Sequence, residues 1–140
     1  MSSAREERQP FGEGLLRIGD VAEEVGLSLR TVRYYEEVGL LPAPARTEGG
    51  FRLYGDEHLE QLRLIKQMKP LGLLIEEMRA LLGARNELRT TTNARKRAEA
   101  RERLERFAIL ASERCAELRK QLRNAERFAR QIRNEAEGGD

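Results

Sequence analysis

Residues 26–42 read GLSLRTVRYYEEVGLLP, and the adjacent Tyr34 and Tyr35 decide how the stretch folds. Successive residues on an α-helix are turned by about 100°, so two neighbouring tyrosines cannot both face one core. One must look inward and the other outward. Ser28 is a good N-cap for a helix over residues 29–38, and Gly39 is a natural stop. On that helix Val32 and either Tyr35 or Glu36 face inward, while Arg30, Thr31, Arg33 and Tyr34 point progressively outward. Arginine offers paired donors to guanine or phosphate, and Thr and Tyr hydroxyls reach phosphates. The alternative at this stage is a solvated arginine face above a packed tyrosine.

Upstream, LRIGDVAEEVG places Ile18, Val21, Ala22 and Val25 at i, i+3, i+4 and i+7, which predicts a short amphipathic helix closed by Gly26. Two short helices joined by a tight, glycine-containing turn form a helix-turn-helix pattern. Residues 1–14, MSSAREERQPFGEG, lack periodicity and are expected to be a mobile tail. Downstream, Pro42 and Pro44 oppose helix, Gly49-Gly50 supplies a turn, and FRLY alternates apolar and polar. The expectation is a small β-hairpin with strands near 45–47 and 51–54, a basic ribbon that carries Arg46, Arg52 and Tyr54. Asp56 is expected to cap a helix through about Met68 with Leu59, Leu62 and Ile65 buried. After Pro70 and Gly72, a further helix is expected over 73–82, ending at Gly83.

From about Leu88 to Ala136 there is neither proline nor glycine, so one helix of roughly 70 Å is expected at ~1.5 Å per residue. Leu104, Ala108, Ala111, Cys115, Leu118, Leu122, Ala125, Ala129, Ile132 and Ala136 recur at alternating spacings of four and three, the heptad pattern of a coiled coil. One helix cannot bury such a seam alone. The simplest partner is the same helix of a second subunit.

Charge and cysteine content narrow the function classes. The net charge is +2. Residues 15–84 hold 9 basic against 11 acidic residues, and residues 85–137 hold 15 against 9. A slightly acidic segment can still carry a local arginine stripe that binds phosphate. One cysteine excludes an internal disulfide and argues against a thiolate-rich metal site. At its seam position, Cys115 reads as a small packed thiol. No apolar run spans a bilayer, and the first residues lack the apolar core of a signal peptide, so a cytoplasmic protein is expected, with no membrane role. No carboxylate pair, nucleophile–base set or phosphate loop stands out. Neither enzymatic activity nor a cofactor is expected.

RIGDVAEEVGLSLRTVRYYEEVGLLPAPARTEGGFRLYGDEHLEQLRLIKQMKPLGLLIEEMRALL resembles the DNA-binding domain of the mercury-resistance regulator (MerR) family, without a gap over about residues 16–82. RTVRYYEEVGLL and GGFRLY are its most specific pieces. The resemblance implies a mainly α fold: a winged helix-turn-helix domain followed by a long dimerisation helix in an antiparallel coiled coil. It implies a homodimer on double-stranded promoter DNA with an inverted repeat, distorting an overlong spacer for RNA polymerase. Arg30, Thr31, Arg33 and Tyr34 would lie in the major groove or on flanking phosphates. Arg52 and Tyr54 would belong to the wing, and Lys66 to the next helix's approach to the backbone. One departure is Leu74 in LGLLIEEM, where the family usually has a Ser or Thr cap; losing a cap costs about 1 kcal/mol.

The expected domains are therefore a tail over 1–14, a DNA-binding domain over 15–84, a coiled-coil helix over 85–137 and a C-terminal tail over 138–140. His58 is expected to be solvated or capping. Phe107 and Phe128, at g positions beside the seam, either pack on the partner subunit's DNA-binding domain or serve an unidentified effector or protein partner. Two rival functions are a protein-interaction adaptor built on the coil and a chromosome-organising DNA binder without promoter specificity. A basic wing has no use in an adaptor.

Overall fold

The computed structural model describes residues 15–138; the expected tail over residues 1–14 and the last two residues lie outside them. Helix α1 (Ile18–Val25) ends at Gly26, whose φ of 75° is the left-handed conformation glycine adopts most cheaply. Helix α2 (Leu29–Glu37) begins at Ser28, whose hydroxyl accepts from the Thr31 N–H at 3.1 Å. Val32 and Tyr35 are its buried residues. Tyr35 is 3% exposed and Tyr34 46% exposed, so Tyr35 looks inward and Tyr34 outward.

Strands β1 (Ala45–Arg46) and β2 (Arg52–Leu53) pair antiparallel, Ala45 opposite Leu53 and Arg46 opposite Arg52. Gly50 at the tip has a φ of 87°, and the Thr47 hydroxyl accepts from the Phe51 N–H, so the turn is tied by its own side chain. Beyond the expected hairpin, Leu16 exchanges two backbone hydrogen bonds with Tyr54 at 2.8 and 2.7 Å. That bridge anchors the segment entering α1 to the base of the wing.

Helix α3 (Asp56–Met68) buries Leu59, Leu62 and Ile65 as expected, together with Met68 and His58. Its cap differs from the expectation. Gly55 occupies the cap position, and His58 Nδ1 accepts from the Gly55 N–H at 3.0 Å. The opposite ring nitrogen therefore carries the proton and donates to the Pro42 carbonyl at 3.1 Å. His58 caps, but it is buried. Together with Val21, Val32, Leu40 and Tyr54, the α3 row forms the core, and α1 packs on both α2 and α3.

A short 3-10 turn (Lys69–Leu71) and Gly72 lead to helix α4 (Ile75–Thr90). At the unusual Leu74 cap, the Glu77 carboxylate accepts from the Leu74 N–H at 2.8 Å. Half of a capping box thus survives without a hydroxyl at the cap itself. The expected stop at Gly83 is corrected, since α4 continues to Thr90. An isolated glycine costs a helix only about 1 kcal/mol against alanine, which neighbouring helix formers overcome. The chain divides into compact units at this point, one ending at Leu82 and the next beginning at Gly83.

The long helix is also shorter than expected. Residues 91–93 interrupt it, and α5 (Ala94–Ala136) starts afresh with 43 residues, about 65 Å. Asn93 Oδ1 accepts from the Lys96 N–H at 2.9 Å, and Thr91 Oγ1 accepts from the Asn93 N–H. TTTN is therefore a helix break written in capping residues. Across this turn Arg97 donates to the Leu88 carbonyl, and Arg103 pairs with Glu87 at 2.9 Å. Ala84 and Ala100 are buried nearby in the same unit.

Three substitutions test the folding assignments. Tyr35→Ala should destabilise the chain by about 3–5 kcal/mol in urea unfolding, the usual cost of emptying an aromatic core site, whereas Tyr34→Ala should stay within about 0.5 kcal/mol. Asn93→Ala should cost about 1 kcal/mol, seen as faster amide exchange in the first turn of α5. Equal losses for the two tyrosines would place the wrong ring in the core.

Candidate nucleic-acid interface

On α2, Arg30, Arg33 and Tyr34 are exposed at i, i+3 and i+4, so they share one outward face. Thr31 is half-buried, and its hydroxyl accepts from Ser28 Oγ at 2.9 Å. Its first role is to complete the N-terminal turn. The face combines two guanidiniums with a phenol, a set that can meet base edges and phosphate oxygens.

The wing joins this face through Glu36. Its carboxylate accepts from the Tyr54 hydroxyl at 2.9 Å and meets Arg52 Nε at 3.1 Å. Arg46, across the ladder from Arg52, is exposed and donates to the Gly50 carbonyl at 2.9 Å, bracing the tip. α2 and β2 are thereby tied side chain to side chain.

Tyr54 corrects the expectation that it presents itself to DNA. It is 0% exposed, and its hydroxyl is spent on Glu36. Burial first, then the hydrogen bond and charge of Glu36, push its phenol well above the usual tyrosine range. It remains a proton donor throughout neutral pH, a strut beneath the wing. Lys66 likewise has an internal task, since its ammonium donates to the Val25 carbonyl at 2.9 Å, closing the end of α1.

Two further residues were missed in the sequence. Phe51 is 54% exposed at the wing tip, and the Arg17 guanidinium lies 4.3 Å from its ring centroid. This cation–π contact places another positive charge beside the wing. The only signal for Phe51 was its place after the two glycines, and nothing marked Arg17.

Part of the acidic charge in this unit is engaged internally. Glu36 is matched by Arg52 and Glu24 by Arg63, at 3.4 Å. Glu77 is occupied at the α4 cap. On α2, Arg30, Arg33 and Tyr34 face outward, with Leu29 and Glu37 also exposed.

Comparison with known proteins agrees with this arrangement. Residues 16–85 match the model of the MerR HTH family regulatory proteins. The chain is 35% identical over 113 residues to the mercuric resistance operon regulatory protein of Bacillus cereus, covering 72% of this chain and 86% of that protein. It is 41% identical over 71 residues to the transcriptional regulator ZntR homolog of Haemophilus influenzae, covering 51% of this chain. There it spans only about half of the relative's length, 53%. Among solved structures, a MerR family transcriptional regulator from Listeria monocytogenes superposes with a TM-score of 0.64 at 30% identity, over 86% of each chain. HiNmlR, a MerR family regulator lacking the sensor domain and bound to promoter DNA, superposes with a TM-score of 0.66 at 25% identity. That alignment covers 89% of this chain and 96% of HiNmlR. With its helix-turn-helix, its wing and its long terminal helix, the chain belongs to the MerR family of DNA-binding transcription regulators.

Proposed function

We propose that this regulator acts as a homodimer, joined through α5 as an antiparallel coiled coil, on promoter DNA with an inverted repeat. The observation that carries the proposal is the outward face of Arg30, Arg33 and Tyr34 bound to the wing by Glu36. In this reading α2 enters the major groove, Arg46 and Arg52 lie on the flanking backbone, and Arg17 and Phe51 extend that contact. Thr31 supports the N-terminal end of α2 while Tyr54 and Lys66 act from beneath. The promoter-bound relative with the same overall fold supports the assignment.

The coil supports the dimer. Leu118, Leu122 and Ile132 are exposed large apolar residues on the α5 seam. Ala108, Ala125 and Ala129 are exposed with them, while Leu104, Ala111 and Cys115 are half-buried. Water-exposed leucine and isoleucine at heptad spacing call for a second helix. A single recognition helix reads only a few base pairs, and two at a fixed separation read a palindrome. Cys115 belongs to this seam. It supplies one thiolate where a soft-metal site takes several, so its replacement by serine should leave DNA binding in place.

The family mechanism is the finer part of the proposal. The dimer distorts an overlong spacer so that RNA polymerase can use both promoter elements. The protein works in the cytoplasm, where its DNA is. No helix among the described residues is long and apolar enough to cross a membrane. The adaptor reading is disfavoured by the effort the fold spends on the wing, and a non-specific organiser by the base-reading chemistry of α2.

Arg33→Ala should weaken binding to a selected duplex by roughly 1–3 kcal/mol with the fold intact. Arg52→Ala should weaken binding to all sequences and reduce the salt slope by about one unit. Unchanged affinity in both variants, titrated at several salt concentrations, removes the DNA assignment of these residues. Leu118→Lys should convert a dimer to a monomer in sedimentation and abolish palindrome preference. A wild-type chain that sediments as a monomer would reject the architecture. Deleting one or two base pairs from an overlong spacer should make transcription independent of the protein; targets with ordinary spacers would reject the distortion mechanism alone.

A further inference from the structure

We propose that Glu36 is a specificity-determining residue of the DNA surface: its carboxylate grips one edge of Arg52, aims the rest of the guanidinium outward, and opposes binding to DNA of the wrong sequence. The inference rests on the proposed use of α2 and the wing for DNA.

Glu36 lies on α2 directly after buried Tyr35, with its carboxylate between the helix and β2. One oxygen, Oε1, accepts from the Tyr54 hydroxyl at 2.9 Å and also faces Arg52 Nε at 3.1 Å, while Oε2 lies 3.4 Å from the same nitrogen. Because Tyr54 is fully buried, a carboxylate that swung away would strand a buried hydroxyl. Glu36 is therefore held in place from below and holds Arg52 from the side. The grip uses only Nε. The two terminal nitrogens of Arg52 have no hydrogen bond among the described residues, and such a pair is the fork that reads a phosphate.

Stability does not account for the charge. Arg52 and Glu36 side chains are 34% and 17% exposed, and in such a partly buried pair the cost of desolvation offsets much of the attraction. The Tyr54 hydroxyl needs an acceptor, which a neutral amide would also supply. What the carboxylate alone adds is a negative charge beside the phosphate-binding fork. Any DNA sequence feels that charge, because sequence-independent affinity comes from basic side chains neutralising phosphates. The aim that Glu36 gives Arg52 helps only where base contacts seat α2 in register with the backbone, so on the correct sequence the aimed fork offsets the repulsion. On other sequences the repulsion remains without that gain, and the difference between the two widens discrimination.

The test uses the full-length chain and two probes: a duplex that the wild-type protein selects from a random pool, and a scrambled duplex of equal length and composition. Glu36→Gln keeps an oxygen for Tyr54 and removes the charge. Affinity for the scrambled duplex should rise about threefold to tenfold, with a salt slope steeper by up to about one unit. Affinity for the selected duplex should change less, so the ratio between the two falls. In an Arg52→Ala background the same substitution should no longer change the ratio. A parallel change on both duplexes, or an undiminished effect without Arg52, overturns the inference while leaving the DNA reading intact. A wild-type protein that selects no duplex at all removes the DNA reading and this inference with it. Should Glu36→Gln unfold, as circular dichroism would reveal, Arg52→Lys decides. It keeps the charge but lacks the Nε handle, so the selected duplex should lose affinity several-fold more than the scrambled one. Equal losses on the two duplexes would overturn the role of Glu36.

Discussion

Capture of orphan backbone carbonyls is the interaction on which the DNA-binding unit depends. Helices α1 and α2 have 8 and 9 residues, too short to be stable alone, and each leaves carbonyls unpaired at its end. The donors come from later in the chain. Lys66 of α3 binds the Val25 carbonyl and Arg79 of α4 binds that of Val38. Gln61 binds Leu40 at 2.6 Å and His58 binds Pro42. Lys66 thus closes α1, and the other three side chains, from two helices, fix where α2 ends and how the chain leaves it for the wing. The outward face of α2 is aimed by residues that never touch it.

The same logic extends across the wing. Glu36 leaves α2 to meet Tyr54 and Arg52, and the Leu16–Tyr54 bridge returns the ribbon to the start of α1. A two-residue strand pair has little stability of its own. Its rigidity comes from being fastened at both ends. A fastened wing and a placed helix can meet DNA as one surface, with less ordering to do on binding.

Much of this was legible in the sequence wherever the controlling interaction is local. Ser28, Gly26 and the Gly49-Gly50 tip act within a few residues, and the helices and hairpin they bound appear close to where they were expected. The Leu59, Leu62 and Ile65 row was legible because helical periodicity alone defines it. What was obscure depends on partners distant in sequence. Nothing near Tyr54 indicates that its hydroxyl meets a carboxylate eighteen positions earlier, nor does anything near Lys66 point to Val25. Gly83 misled because its small intrinsic penalty was read as a stop while a run of helix formers continued on both sides. Asn93 was overlooked for the opposite reason. TTTN carries its cap without proline or glycine, so the lack of those two residues does not make the helix continuous. Arg17 carries no local mark and Phe51 only its place after the two glycines, and their contact becomes visible only in the structure.

In the proposed complex DNA is met by α2 and the wing together, through side chains placed from beneath. Amide hydrogen exchange of the full-length chain, with and without a duplex that it selects from a random pool, tests this most directly. Bound DNA should slow exchange over residues 29–37 and around the wing, residues 46–53, in the same titration and to saturation at the same DNA concentration. Slowing confined to α5, or present in α2 with the wing unchanged, would contradict it.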